Sequence, residues 1–157
     1  MRRVGLFGDA REVGNCIHCG GPAGTLDHVR SKIFLDEPLP AYIDGCAACF
    51  ACNDSLGLDD EYVACILECA ATGEVDPAVV ERQKVANVLK NSLLIVERLK
   101  RARTLNSGAL SWNIELDRIR RVLLKLARGH AIFELDCPRL EEPNVYWAAS
   151  TFGIRAG

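Results

Sequence analysis

The chain has 157 residues, a formal net charge of −2 and 49% hydrophobic residues. That balance excludes a disordered chain and a generically basic nucleic-acid binder, and the length suits one domain or a small module with an extension. No apolar run is long enough to cross a bilayer, and Met1 to Gly14 lacks an apolar stretch of signal-peptide length, so a cytoplasmic protein with no membrane association is expected. The charge is uneven: residues 1–80 hold 5 Lys/Arg and 13 Asp/Glu, whereas residues 81–157 hold 14 and 8. This asymmetry predicts an acidic front half suited to metal ions and a basic back half suited to phosphates.

In chain order, a short strand is expected at Val4 to Phe7. Residues 16 to 53 are rich in Gly, Pro, Cys and Asp and predict turns and short strands that pack weakly without help. Thr25 to Val29 alternates as a strand does. Leu35 to Tyr42 carries two prolines and predicts a loop. From Asn53 the pattern is helical, with Asp59, Asp60 and Glu61 placed to meet the positive end of a helix over Asp59 to Ala71, and with Gly73 as its C-cap. Asp76-Pro77 predicts the start of a long helix reaching about Arg103, with Val85, Leu89, Ser92, Val96 and Leu99 as its buried stripe. Asn106-Ser107-Gly108 breaks the pattern, and a further helix is predicted over Glu115 to Ala127, ended by Gly129. The tail is irregular, with a short strand expected at Val145 to Ala148.

Eight cysteines in a chain without a secretion signal point to metal rather than disulfides. Cys16 and Cys19 form one CxxC pair. The second pair lies in GCAACFACNDSLG, where Cys46, Cys49 and Cys52 leave the pairing open between Cys46–Cys49 and Cys49–Cys52. Two CxxC pairs about 30 residues apart are a strong signal for a closed tetrahedral zinc site, which contributes folding free energy directly. The pair Cys49 and Cys52 is preferred because Asn53 follows directly and a helix begins there. Zinc binding would draw that first helical turn towards Asp27 and His28. Asp27 and Asn53 would then supply oxygen ligands for Mg²⁺ or Mn²⁺, and His28 would take a proton from an attacking water.

An Asp-His pair between two CxxC pairs, with Asn immediately after the last Cys, resembles the HNH endonuclease family and its endonuclease VII-like pattern. The resemblance covers about residues 14 to 72. It implies a treble-clef ββα-metal fold, structural zinc on Cys16, Cys19, Cys49 and Cys52, His28 as general base, and Asp27 and Asn53 as ligands of a catalytic divalent metal. This chain departs from the family in having no Asn between His28 and Cys49, where Asp44 is the nearest candidate brace. It also has Arg30-Ser31-Lys32 where a proline often stands.

The expected architecture is therefore α+β: a zinc-stabilised module over 1–74 and a mostly helical extension over 75–157. The expected function is metal-dependent hydrolysis of DNA, with RNA as a possible substrate and a homodimer or partner protein as a possible assembly. The alternative is an inactive zinc module that binds nucleic acid or protein. Arg118, Arg121, Lys125 and Arg128 form a basic stripe suited to backbone phosphates or to solvent, with Arg98 and Arg101 adding charge nearby. Glu61 is a candidate further metal ligand, Cys65 and Cys69 a buried apolar pair, and His18 a solvent-facing residue of the first knuckle.

Overall fold

A computed structural model describes residues 14–41 and 43–143, and the backbone of 155–156. The strands expected at 4–7 and 145–148 lie outside the described residues. The architecture is α+β, in the order β1 (Thr25–His28), a 3-10 turn (Lys32–Phe34), β2 (Gly45–Ala48), α1 (Phe50–Thr72), α2 (Gln83–Asn91), α3 (Leu93–Ala102), β3 (Arg103–Asn106), β4 (Ala109–Ile114), α4 (Leu116–Leu135) and β5 (Arg155–Ala156). The described chain divides into two compact units. Among the described residues, one takes those from 14 to 60 together with 121 to 143, and the other takes Glu61–Arg120 with residues 155–156. The boundary expected after residue 74 thus falls within the second unit.

In the first unit, β1 and β2 pair antiparallel, with Asp27 opposite Cys46 and His28 opposite Gly45. All four residues of β2 are buried, whereas in β1 only Asp27 is. Ile17, Val29, Cys46 and Ile132 form a small apolar cluster, with Phe133 packed on it. Gly129 does not end α4. It lies inside the helix, where a Cβ would meet Val29 at 3.2–3.5 Å, including the Val29 Cα at 3.3 Å. Close approach to Val29, not helix termination, is what requires glycine there.

In the second unit the long helix expected from Asp76 is two shorter ones. Asp76 opens a turn, accepting the Ala78 N–H on Oδ1 at 2.8 Å, and helix begins only at Gln83. Ser92 sits at φ −116° and ψ 89° between α2 and α3, so the phase of the buried face changes there. Val85, Leu89 and Leu99 are buried as expected, but Ile95 is buried rather than Val96. The break at residues 106–108 is the turn of a β3–β4 hairpin that the periodicity did not reveal. Ser107 and Gly108 both take positive φ there, 49° and 82°, as a two-residue hairpin turn demands. β5 adds a parallel strand to β4. Helix α1 starts at Phe50, nine residues earlier than Asp59, and ends before Gly73 as expected. Cys65 and Cys69 are fully buried on it, and burial pushes their thiols up to about 12 and about 11.

Candidate functional site

Each cysteine of the expected quartet is placed by a local element. Cys16 and Cys19 flank a tight turn in which the Gly20 N–H donates to the Cys16 carbonyl at 2.8 Å. Cys49 directly precedes α1, and Cys52 lies in its first turn. The Sγ atoms of Cys16, Cys19, Cys49 and Cys52 all lie within 4.8 Å of one another, the one such group among the described residues. Cys19 and Cys49 sulfurs are 3.9 Å apart. Tetrahedral zinc with Zn–S bonds of about 2.3 Å sets its sulfurs about 3.8 Å apart, so this donor set fits zinc. The Cys49 thiol is drawn down to about 7, first by the Cys52 backbone N–H at 3.4 Å and then by neighbouring thiols. A lowered thiol is the form that metal captures. Burial and the adjacent thiols push Cys52 upward.

Cys46 is not one of the four. It lies buried on β2, its Sγ–H donating to the Asp27 carbonyl at 3.5 Å, and burial first, then the Asp27 charge, push it up to about 12. All eight cysteines are thiols.

Asp27, His28 and Asn53 have different surroundings. Adjacent residues of a strand project to opposite faces, and on β1 Asp27 is the one turned inward. Its Oδ2 lies 2.9 Å from His18 Nε2, and its Oδ1 lies 3.0 Å from Lys125 Nζ. His18, expected to face solvent, is therefore a buried partner of Asp27. Asn53 instead reaches the start of β1, its Nδ2 making long hydrogen bonds to the Leu26 carbonyl at 3.4 Å and Thr25 Oγ1 at 3.5 Å. Glu61 belongs to the other compact unit.

Lys125 is the centre of a buried polar network. Its three ammonium protons match three oxygens: Asp60 Oδ2 at 2.5 Å, Ser31 Oγ at 2.8 Å and Asp27 Oδ1 at 3.0 Å. Ser31 in turn donates to Asp60 Oδ2 at 2.5 Å. The side chains of Lys125 and Asp27 are each 4% exposed. Burial alone would raise the Asp27 carboxyl, but hydrogen bonds from His18 and Lys125 and the charge of Lys125 hold it below its ordinary 3.8. Burial dominates at Asp60 and raises it. For Lys125 burial acts downward, and the charges of Asp27 and Asp60 outweigh it, so its pKa is raised.

This arrangement does not fit Asp27 as a ligand of hydrated Mg²⁺ or Mn²⁺. Such ions keep several waters, and Asp27 is shut away from water. Lys125 Nζ, 3.0 Å from Asp27 Oδ1, already stands where a cation would approach that oxygen, and His18 takes the other.

His28 presents a different picture. Its Nε2 is buried and has no hydrogen-bond partner. Burial first, then the charge of Lys32, lowers its pKa from 6.5, with Asp27 opposing and Lys125 adding to the fall. The shift favours the neutral imidazole.

The basic stripe of α4 is committed within the chain. Arg118 Nε donates to Glu115 Oε2 at 2.9 Å, and its guanidinium lies over the Tyr62 ring at 5.4 Å. Arg121 forks onto Asp59 at 2.6 and 3.1 Å, and Arg128 donates to the His18 carbonyl at 3.0 Å and the Leu140 carbonyl at 2.8 Å. Buried Lys125 is not presented to a phosphate. Asp59 and Asp60, expected at a helix start, lie inside α1 as partners of these cations.

The residues missed from sequence are His18, Ser31 and Asp60 as partners of Asp27 or Lys125. One signal was present: Val122, Lys125, Gly129 and Ile132 share one helical face, and that face is buried. A lysine on an apolar stripe asks for a buried acid. Among the described residues no helix is long and apolar enough to cross a membrane. No family model, no curated protein and no solved structure matches the chain.

Proposed function

We propose that the chain is an endonuclease of the HNH type that hydrolyses phosphodiester bonds in DNA, with RNA chemically open to it as well. In this reading the order knuckle, hairpin, knuckle, helix is a zinc-stabilised treble-clef ββα module working in the cytoplasm, where a reducing medium keeps thiols ready for zinc. The observation that carries the reading is His28. It is a half-buried imidazole whose surroundings favour its neutral form, standing on a strand between two cysteine pairs whose sulfurs gather as zinc requires. A general base near working pH contributes typically 10²- to 10⁴-fold. Zinc, once bound, supplies stiffness and no reaction step. His28 takes the proton of the attacking water. Asn53, hydrogen-bonded to the Leu26 carbonyl, positions the strand that carries His28.

The test is nicking of supercoiled plasmid by zinc-loaded protein in Mg²⁺ or Mn²⁺ buffer, beside a folded His28→Ala protein. Nicking that the substitution removes supports the reading, and nicking equal in both proteins ends it. A second reading is a zinc module that binds nucleic acid or a protein, in one copy or as a homodimer, and cuts nothing. The engagement of Asp27 inside the chain, with both carboxylate oxygens taken, favours a module that cuts nothing. Binding of plasmid without any cleavage would select it.

A further inference from the structure

The HNH resemblance assigns Asp27 to a divalent metal, and the geometry around Asp27 disagrees. Three oxygen donors from three separate segments converge on one point: Asp27 Oδ1 from β1, Ser31 Oγ from the following loop and Asp60 Oδ2 from α1. That point is filled by Lys125 Nζ, delivered by α4. Two carboxylates and a hydroxyl around a cation are the donors that a small hard metal ion takes, but here the cation is covalently part of the chain.

The helix that delivers it is held on both sides. Four residues before Lys125, Arg121 grips Asp59 with both arms of its guanidinium. Three residues after it, Arg128 binds the carbonyl of His18, inside the first knuckle. One turn on, Gly129 lies close against Val29, where a Cβ would meet it at 3.2–3.5 Å. The helix segment that delivers the ammonium is thus tied to the rest of the unit on both sides of Lys125. His18 closes the far side of Asp27, so both carboxylate oxygens are engaged.

We infer that Lys125 is a built-in cation occupying the oxygen-lined site of Asp27, Ser31 and Asp60, so that Asp27 is a positioning residue and not a metal ligand in this protein. The inference refines the nuclease reading, since it concerns how the strand bearing His28 is held. It does not depend on cleavage being observed.

The experiment is Mn²⁺ binding to zinc-loaded protein, followed by electron paramagnetic resonance, in wild type, Asp27→Asn and Lys125→Ala. Wild type and Asp27→Asn are expected to bind Mn²⁺ with dissociation constants within threefold of each other, or equally not at all. A larger loss of affinity in Asp27→Asn overturns the inference. Folded Lys125→Ala is expected to gain Mn²⁺ affinity of tenfold or more, because the emptied site keeps its oxygens, and the Asp27→Asn/Lys125→Ala double variant is expected to lose that gain. A folded Lys125→Ala protein that gains nothing also overturns it. Should Lys125→Ala fail to fold, the comparison of wild type with Asp27→Asn still decides. A plasmid-nicking failure would sink the nuclease reading and leave these binding results untouched. Mn²⁺ held by Asp27 would sink this inference and leave His28 as base.

Discussion

At the scale of single residues, His28 and Lys125 separate chemistry from scaffold. His28→Ala should keep the fold and lower plasmid nicking by about 100-fold or more, as loss of a general base does. Because the folded pKa of His28 is lowered, its neutral form is favoured. Its contribution to stability is therefore present above pH 6.5 and is lost as pH falls through the lower folded value. Lys125 works in the opposite direction. Its folded pKa is raised, so its contribution is whole below 10.5 and disappears as pH climbs through the raised value. Lys125→Met leaves two buried carboxylates without their cation and should cost about 3–5 kcal/mol in urea unfolding at pH 7, the usual price of breaking a buried pair. The alkaline limb of the stability profile should then flatten in the variant. An unchanged midpoint at both pH values would show that the network contributes nothing.

At the scale of elements, α4 shows how packing overrides propensity. Replacing an interior helical glycine with alanine ordinarily gains up to about 1 kcal/mol. At Gly129 the new Cβ would press on Val29 at 3.2–3.5 Å, and one of the atoms met is backbone Cα of a buried residue. Overpacking costs typically about 1–3 kcal/mol, so Gly129→Ala should lower the thermal midpoint rather than raise it. A raised midpoint would mean that Val29 gives way. The same helix shows what the spacing of its cations left open between phosphates and solvent. Their spacing was legible, but the acids that receive Arg121 and Lys125 are Asp59 and Asp60, more than 60 positions away. The α2–α3 break has a local cause. Asn91 and Ser92 bond to nearby backbone as readily as they extend a helix, and Asn91 Nδ2 does reach the Asn87 carbonyl at 2.8 Å.

At the scale of the whole molecule, the four-cysteine group could hold a metal ion that ties the two ends of residues 16 to 53 together. The packed apolar cluster of that unit is small, so a metal held there, on the order of 10 kcal/mol in small peptides, would be a large part of its stability. The purified protein should carry one zinc per chain by elemental analysis. Cys49→Ser should lose it, and Cys46→Ser should retain it, since Cys46 points to Asp27 and not to the cluster. Loss of zinc from Cys46→Ser with retention in Cys49→Ser would reverse the assignment.

The two CxxC pairs, the helix after Asn53, the alternation of Thr25 to His28 and the buried pair Cys65 and Cys69 were legible because each is a short-range pattern with one physical meaning. Spacing along the chain fixes which thiols can meet, and period fixes which face of an element is buried. The sequence by itself therefore determined an α+β chain with cysteines spaced to gather as a group that could hold a metal. Only the tertiary structure decided what Asp27 faces. A carboxylate next to a histidine is the same pair of letters whether it waits for a metal or is buried against a lysine 98 positions later, and the choice is made by long-range packing of α4 on the hairpin. The hairpin of β3 and β4 was hidden for a related reason: its strands are short and mostly exposed, so their alternation is weak until the turn at Ser107-Gly108 brings them together.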